Sequence, residues 1–305
     1  MNLPEKVNLI EVGPRDGFQA EKKPIPTDLK VEIIESLARA GMRQLQVTSF
    51  VHPKWVPQMA DAEELCRKLA AAPDVQYRAL ALNKKGVERA HTAGITVLDL
   101  SISVSDTHSL KNANVGVDEA MSNLKEMVDL ARQKGMQIRV GLQCVFGCSY
   151  EGPIPLDRIL KMTEQLLSMQ ADMISLADTT GMANPLQVKQ LLSQLLPMAE
   201  QTPLVLHFHD TRGAGLANLT AALECGVSWF DTALAGLGGC PFIPGAAGNI
   251  ATEDTLYLLH SMGIETGIDL PRVAECSRRL EQFLGRTLPG KMYRLDSPAG
   301  KVVCS

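Results

Sequence analysis

No stretch of this 305-residue sequence approaches the roughly 18 uninterrupted apolar residues that a membrane span requires. Its opening, Met1-Asn-Leu-Pro-Glu-Lys, has neither the apolar core of a signal peptide nor an Arg- and Ser-rich transit helix, so the expected location is cytoplasmic. Excess charge of one sign is also missing. Thirty Lys+Arg against 34 Asp+Glu leave a formal charge of −4, and without an overall cationic field neither nucleic acid nor an anionic membrane is expected as a main partner. No P-loop, G-x-G-x-x-G or G-x-S-x-G occurs, which removes the usual signals for NTPase, dinucleotide and serine-hydrolase chemistry. Low-complexity tracts and solenoid periods are absent too. The seven cysteines are an odd number scattered through a chain long enough to fold without staples, and they read as reduced thiols, most of them buried as small apolar groups.

With 45% hydrophobic and 21% charged residues, the chain has material for a large core. Apolar strand-like runs alternate with segments of helical periodicity: 7–12 then 27–40, 45–50 then 61–71, 75–82 then 84–93, and 97–104 then 118–134. The second half continues with 138–146 and 156–169, 173–178 and 185–196, 204–209 and 216–225, and 229–235 and 252–262. Gly41, Gly94, Gly135, Gly226 and Gly263 stand where helix ends need no Cβ, and Thr27, Asp118 and Asn184 are N-cap candidates. Strict strand–helix alternation implies parallel strands with right-handed crossovers. Eight units in about 260 residues favour an α/β fold closed as a (β/α)8 TIM barrel over an open doubly wound sheet. One domain over 1–305 is expected, with the barrel at about 5–263 and a short C-terminal helical extension, amphipathic over 271–284, and tail at 264–305.

In such a barrel the C-terminal strand ends and following loops face the active-site mouth. Five of the eight ends are rich in ionisable, hydroxyl, amide or Gly residues. His207 and His209, two apart on a strand, share a face and suit one divalent ion; the alternative has one capping the strand and the other packing. Asp16 offers an anionic oxygen and Asn249 an amide oxygen at the same rim. Two imidazoles with oxygen ligands suit Mg²⁺ or Mn²⁺ better than a closed zinc site. Arg15 places a cation beside them for an enolate or carboxylate oxygen, unless it is a surface ion pair. Asp178 is a proton acceptor or ligand-orienting group, or a helix cap, and Asp210 and Arg212 stay unassigned. Cys240 lies in the Gly-rich stretch Gly236-Leu-Gly-Gly-Cys-Pro, where a thiol can donate a proton, with a buried structural thiol as the alternative. Cys144 and Cys148 read as core or rim residues.

Several stretches together resemble the 3-hydroxy-3-methylglutaryl-CoA (HMG-CoA) lyase family: Val12-Gly-Pro-Arg-Asp-Gly, Thr48-Ser-Phe-Val with Pro53-Lys-Trp-Val-Pro-Gln-Met, and His207-Phe-His-Asp-Thr. To these are added Gly236-Leu-Gly-Gly-Cys-Pro and Gly248-Asn-Ile-Ala-Thr-Glu-Asp. The resemblance runs over nearly the whole chain. It implies retro-Claisen cleavage of a 3-hydroxyacyl-CoA between C2 and C3, giving acetyl-CoA and a keto acid, and a place in leucine degradation. It further implies Asp16, His207, His209 and Asn249 as metal ligands, Arg15 as stabiliser of enolate charge and Cys240 as mobile-loop acid/base. Gln19, Ser49 and Arg139 match positions near substrate. A homodimer would be compatible with it. Two positions depart from the pattern: Gln46 stands where the family usually has a Glu, and Gly141 where it usually has a Tyr near the acyl group. An amide keeps a hydrogen bond but cannot act as a base, and loss of the phenol opens room. Citramalyl-CoA or a longer 3-hydroxy-3-alkylglutaryl-CoA therefore stands beside HMG-CoA as substrate. A Claisen-condensing synthase and a non-catalytic acyl-CoA-binding barrel are the other readings.

Overall fold

Runs of four to seven residues rich in Leu, Ile and Val, bounded by polar turns, favour strands buried on both faces, and parallel strands need a crossover element between each pair. The computed structural model, which describes residues 3–239 and 248–295, meets both conditions. The strands β1 (Asn8–Glu11), β2 (Gln44–Ser49), β3 (Gln76–Leu80), β4 (Val97–Ser103), β5 (Gln137–Gln143), β6 (Met173–Ala177), β7 (Leu204–His207) and β8 (Trp229–Thr232) close into a barrel in sequence order. All eight neighbouring pairs are parallel. Around them lie α1 (Thr27–Arg39), α2 (Ala62–Lys68), α3 (Lys84–Thr92), α4 (Asp106–Ala113), α5 (Val117–Gln133), α6 (Leu156–Ser168), α7 (Pro185–Ala199), α8 (Gly215–Glu224), α9 (Thr252–Ser261) and α10 (Leu270–Leu284). The last of these packs on α1 and α9. No helix among the described residues is long and apolar enough to cross a membrane.

All five glycines expected at helix ends take positive φ. Asn184 caps α7 in a reciprocal box with Gln187. Thr27 and Asp118 are corrections: each lies inside the first turn of its helix, after Pro26 and Gly116. The Thr27 hydroxyl instead donates to Asp61 Oδ2 at 2.8 Å. Helix α4, absent from the periodicity reading, starts where Ser105 Oγ accepts the His108 amide at 3.1 Å. It ends at Asn114 in the left-handed region, φ 59°. With mostly polar residues it lacks the apolar stripe that reveals a helix in sequence.

Barrel interiors are usually filled by branched aliphatic layers, and this one is divided. Ile10, Val12, Val205 and Ala233 form an apolar cluster with Met173 and Trp229 against it. On the other side β2–β5 send Gln46, Arg78, Asp99 and Arg139 inward, all buried. Two further buried acids tie the top of β8 to the rest. Glu11 Oε1 accepts the amides of Gly13 (2.7 Å) and Leu234 (2.9 Å), while Glu253 accepts the amide of Ala235 at 2.9 Å. Burial pushes Glu11 up to about 8 and Glu253 up to about 7 from an ordinary 4.5.

Glu11 in its protonated form can donate from Oε2 to Thr252 Oγ1, 2.6 Å away, and Thr252 in turn to Thr232 Oγ1 at 2.9 Å. The folded state thus retains a proton that the unfolded chain releases near 4.5. Its contribution is complete below that pH and disappears as pH rises through about 8. Glu11→Gln, neutral throughout and able to keep the same bonds, is expected to flatten the fall of melting temperature between about pH 5 and 8. Parallel melting curves for the two proteins would contradict this assignment.

Candidate active site

After β1 the chain winds through a π-helical turn, Gly13–Gly17, with Pro14 in its first positions and the Asp16 amide donating to Val12 O at 2.7 Å. The wide turn sets Arg15 and Asp16 together over the barrel mouth. Gly17 permits this closeness: a Cβ there would stand 2.7 Å from Leu237 Cβ. Arg15 Nη1 donates to Asp16 Oδ1 at 2.5 Å. Burial alone would raise the Asp16 carboxyl, but Arg15 and the two nearby imidazoles outweigh it and hold it at about 2, so it is an anion at any physiological pH.

β7 ends at His207, two residues earlier than expected, and the chain continues extended so that His209 forms an antiparallel bridge with Asn249. Amide bonds from Ile250 to Phe208 O (3.1 Å) and Asp210 to Gly248 O (2.9 Å) fix this register. The His207 and His209 Nε2 atoms are 3.1 Å apart. On the far side of its ring, His207 Nδ1 lies 3.0 Å from Asp231 Oδ2. An ionised carboxylate can only accept, so the proton sits on Nδ1 and Nε2 keeps its lone pair, the arrangement that outer carboxylates impose on metal-binding imidazoles. Burial, then the neighbouring His207, push His209 down to about 4 and keep it neutral.

Ligand atoms of Asp16, His207 and His209 all lie within 4.8 Å of one another, the one such group of three among the described residues. Asn249 completes the set. Its Nδ2 donates to Asp16 Oδ2 (2.8 Å) and Leu237 O (3.0 Å), whereas its Oδ1 is buried with no partner among the described residues. A buried acceptor left bare costs about 1–3 kcal/mol, which a cation would relieve. One anionic oxygen, one amide oxygen and two neutral imidazoles fit a divalent ion of the Mg²⁺ or Mn²⁺ kind.

Beneath the mouth, Arg15 Nε donates to Gln46 Oε1, and Gln46 Nε2 donates to Asp99 Oδ2. Asp99 also accepts from Arg78 Nη2 (2.7 Å) and from Arg139 Nε and Nη2 (2.9 and 3.0 Å). Arg139 Nη1 reaches Asp231 Oδ1 at 2.5 Å, and Asp231 holds His207. Although burial works against it, the Arg139 and Arg78 charges keep the Asp99 carboxyl well below the usual carboxylate range. Arg139, matched by resemblance to substrate, is therefore engaged from both sides below the mouth and has a supporting place. Neither Asp99 nor Asp231 is a residue the sequence reading singled out. The available signal is a charged residue in an apolar strand: 99, 101 and 103 alternate toward the interior.

Asp178 caps no helix, since Asn184 is the N-cap of α7; its carboxylate closes the loop that precedes that helix. Oδ1 accepts the amides of Met182 (2.8 Å) and Ala183 (3.1 Å), while Oδ2 is buried without a partner among the described residues. Burial pushes the carboxyl up to about 6 against those two amides. Gln19 Oε1 and Ser49 Oγ are also buried and have no partner among the described residues. Gly141 pairs with Ser101 and Ser175 on the flanking strands. A Cβ there would meet their Cβ atoms at an ordinary 3.5 and 3.8 Å, so three small residues adjoin in one layer. Asp210 Oδ1 accepts the Gly215 amide, and Arg212 Nη1 donates to Thr180 O, which makes both loop-forming. Cys144 and Cys148 are buried. Cys240 lies outside the described residues, but Gly238 and Gly248 on either side of that stretch touch. A Cβ on Gly238, at φ +128°, would fall 2.5 Å from Asn249 Nδ2. Gly238→Ala should therefore displace the Asn249 amide and weaken Mn²⁺ binding about tenfold or more, read by titration calorimetry. Unchanged affinity would remove Asn249 from the ligand set.

Residues 6–280 match the family described as HMGL-like. The chain is 40% identical to hydroxymethylglutaryl-CoA lyase YngG of Bacillus subtilis over 291 residues, 95% of this chain and 97% of that one. It is 42% identical to the mitochondrial hydroxymethylglutaryl-CoA lyase of Bos taurus over 290 residues, 95% and 89% of the two chains. Among solved structures, the Bacillus subtilis HMG-CoA lyase superposes with a TM-score of 0.93 at 40% identity, covering 95% of this chain and 98% of that one. An HMG-CoA lyase from Acinetobacter baumannii in complex with coenzyme A and 3-methylmalate gives 0.92 at 39%, covering 97% of each. Barrel, rim residues and near-full-length identity agree: the chain belongs to the HMGL-like family, together with HMG-CoA lyases.

Proposed function

We propose that this chain is a divalent-metal-dependent lyase that cleaves HMG-CoA, or a close 3-hydroxyacyl-CoA, to acetyl-CoA and a keto acid, acetoacetate in the first case. The observation that carries the reading is the convergence of Asp16, His207, His209 and the bare Asn249 oxygen beside Arg15 at the C-terminal mouth. Those four residues would hold Mg²⁺ or Mn²⁺, which when bound supplies Lewis-acid polarisation of the C3 hydroxyl. The remaining work falls to the chain. Asp178, raised to about 6 and with Oδ2 spare, takes the hydroxyl proton. The C2–C3 electron pair then leaves as the acetyl-CoA enolate while C3 becomes a carbonyl. Arg15 uses Nε and Nη1 on Gln46 and Asp16, and its Nη2 donates to none of the described residues, which supports a role for that donor at the enolate oxygen. Cys240 returns a proton to C2, as a thiol with a reference pKa of about 8.5 can at neutral pH.

Gly141 supports a second substrate. With Ser101 and Ser175 beside it on the flanking strands, this layer carries only small side chains and no phenol, which supports keeping longer 3-hydroxy-3-alkylglutaryl-CoA and citramalyl-CoA in the substrate class. The acyl-CoA partner, a cytoplasmic setting, one domain over the whole chain and a homodimer complete the proposal.

The test is acetyl-CoA release measured by mass spectrometry, metal-stripped protein against protein with Mg²⁺ or Mn²⁺, across those acyl-CoA esters. Metal-dependent cleavage of one ester is expected; a metal-loaded protein that cleaves none would sink the lyase reading, and one that binds no metal would favour a binding barrel. Arg15→Gln should lower kcat by about 10²–10³-fold, the usual cost of one oxyanion donor, with Mn²⁺ still bound. Retained turnover would move enolate stabilisation to another group.

A further inference from the structure

Gln46 has a carboxamide whose two ends differ in hydrogen-bonding sense, and nothing in its own chemistry decides which end faces Arg15. A flipped amide would turn its NH2 toward the guanidinium, donor against donor. The group that settles the orientation is Asp99, which accepts from Gln46 Nε2 and leaves Oε1 for Arg15 Nε. Asp99 is itself held by Arg78 Nη2 at 2.7 Å and by Arg139 Nε at 2.9 Å, with all four side chains buried. Charge gives a second, independent reason. Arg78 and Arg139 bring two cations into the interior, and Asp99 and Asp231 bring two anions. A carboxylate at position 46 would add a third anion against Asp99, so the balance is complete only with a neutral residue there.

We propose that Asp99 is the positioning residue for Arg15, acting through Gln46, so that the carboxylate which orients the enolate-stabilising cation sits on β4 and not on β2. Through Arg139 and Asp231 the same carboxylate is connected to His207, so one buried anion aligns the cation and a metal-binding imidazole together. The inference rests on the lyase reading for its kinetic consequence and on geometry alone for the contact.

The experiment compares Asp99→Asn, Gln46→Glu and the double variant, with two readouts: kcat and KM for the metal-loaded protein on the ester it cleaves, and the Arg15 Nε–H resonance of ¹⁵N-arginine-labelled protein, assigned with Arg15→Lys. Asp99→Asn should lower kcat about 10²-fold, the scale of a displaced catalytic group, with KM within about threefold. Gln46→Glu alone should lower kcat about tenfold by setting two carboxylates together. In the double variant the carboxylate moves to position 46 and accepts both from the carboxamide now at position 99 and from Arg15. There kcat should return to within about threefold of the parent, and the resonance, shifted in Asp99→Asn, should return with it. Losses that multiply in the double variant overturn the proposal, as does an Arg15 signal indifferent to Asp99. If Asp99→Asn alone does not fold, the double variant decides: folded with the parent's signal supports, and unfolded overturns, since position 46 then fails to stand in for 99. A parent inactive on every ester would end the lyase reading, while the resonance would still judge the contact.

Discussion

The rest of the site depends on one buried carboxylate. Asp99 accepts from Arg78, Arg139 and Gln46 at once, and taking charges out of water is favourable only when each has its counter-charge and hydrogen bonds. Loss of Arg78 would remove one of the two cations that hold Asp99, and loss of Asp231 would take away the acceptor of Arg139 Nη1. A network with every member satisfied allows few alternatives, so it specifies geometry better than an apolar filling would. Both ends of this chain of contacts surface at the mouth, one at Arg15 and the other at His207.

The two halves of the barrel divide the work accordingly. The side formed by β1, β7 and β8 is plugged with Ile10, Val12, Val205 and Ala233. It holds the strand ends that carry Asp16, His207 and His209 rigid by packing. The side formed by β2–β5 is ionic and reaches Arg15 through Gln46 and His207 through Asp231. Glu11 and Glu253, both raised by burial, then anchor the segment Leu234–Gly236 that leads into the Gly-rich stretch. Packing, charge and buried protons thus act on separate parts of one rim.

Much of this was legible in the sequence. Short continuous apolar runs alternating with segments of 3.6-residue periodicity reveal eight strand–helix units because each strand is buried on both faces and each outer helix on one. The pair His207 and His209 stands out since two imidazoles two residues apart on a strand share a face and can reach one ion. Asp99 and Asp231 stayed hidden for the opposite reason: single acids in strands carry no motif, and their meaning comes from partners 40 and 92 residues away. Helix α4 was hidden by its lack of an apolar stripe. Thr27 and Asp118 look like caps in the sequence, yet propensity does not fix the starting residue of a helix.

By itself the sequence determined the fold class, the family, and the residue types able to bind a divalent ion and stabilise an enolate, because periodicity and short motifs are local properties of a chain. Only the tertiary structure decided which imidazole nitrogen faces inward, that the Asn249 oxygen is bare, that Arg139 supports from below, and why position 46 is an amide. Those outcomes depend on burial and on charges brought together by barrel closure, and neither exists until the strands have met.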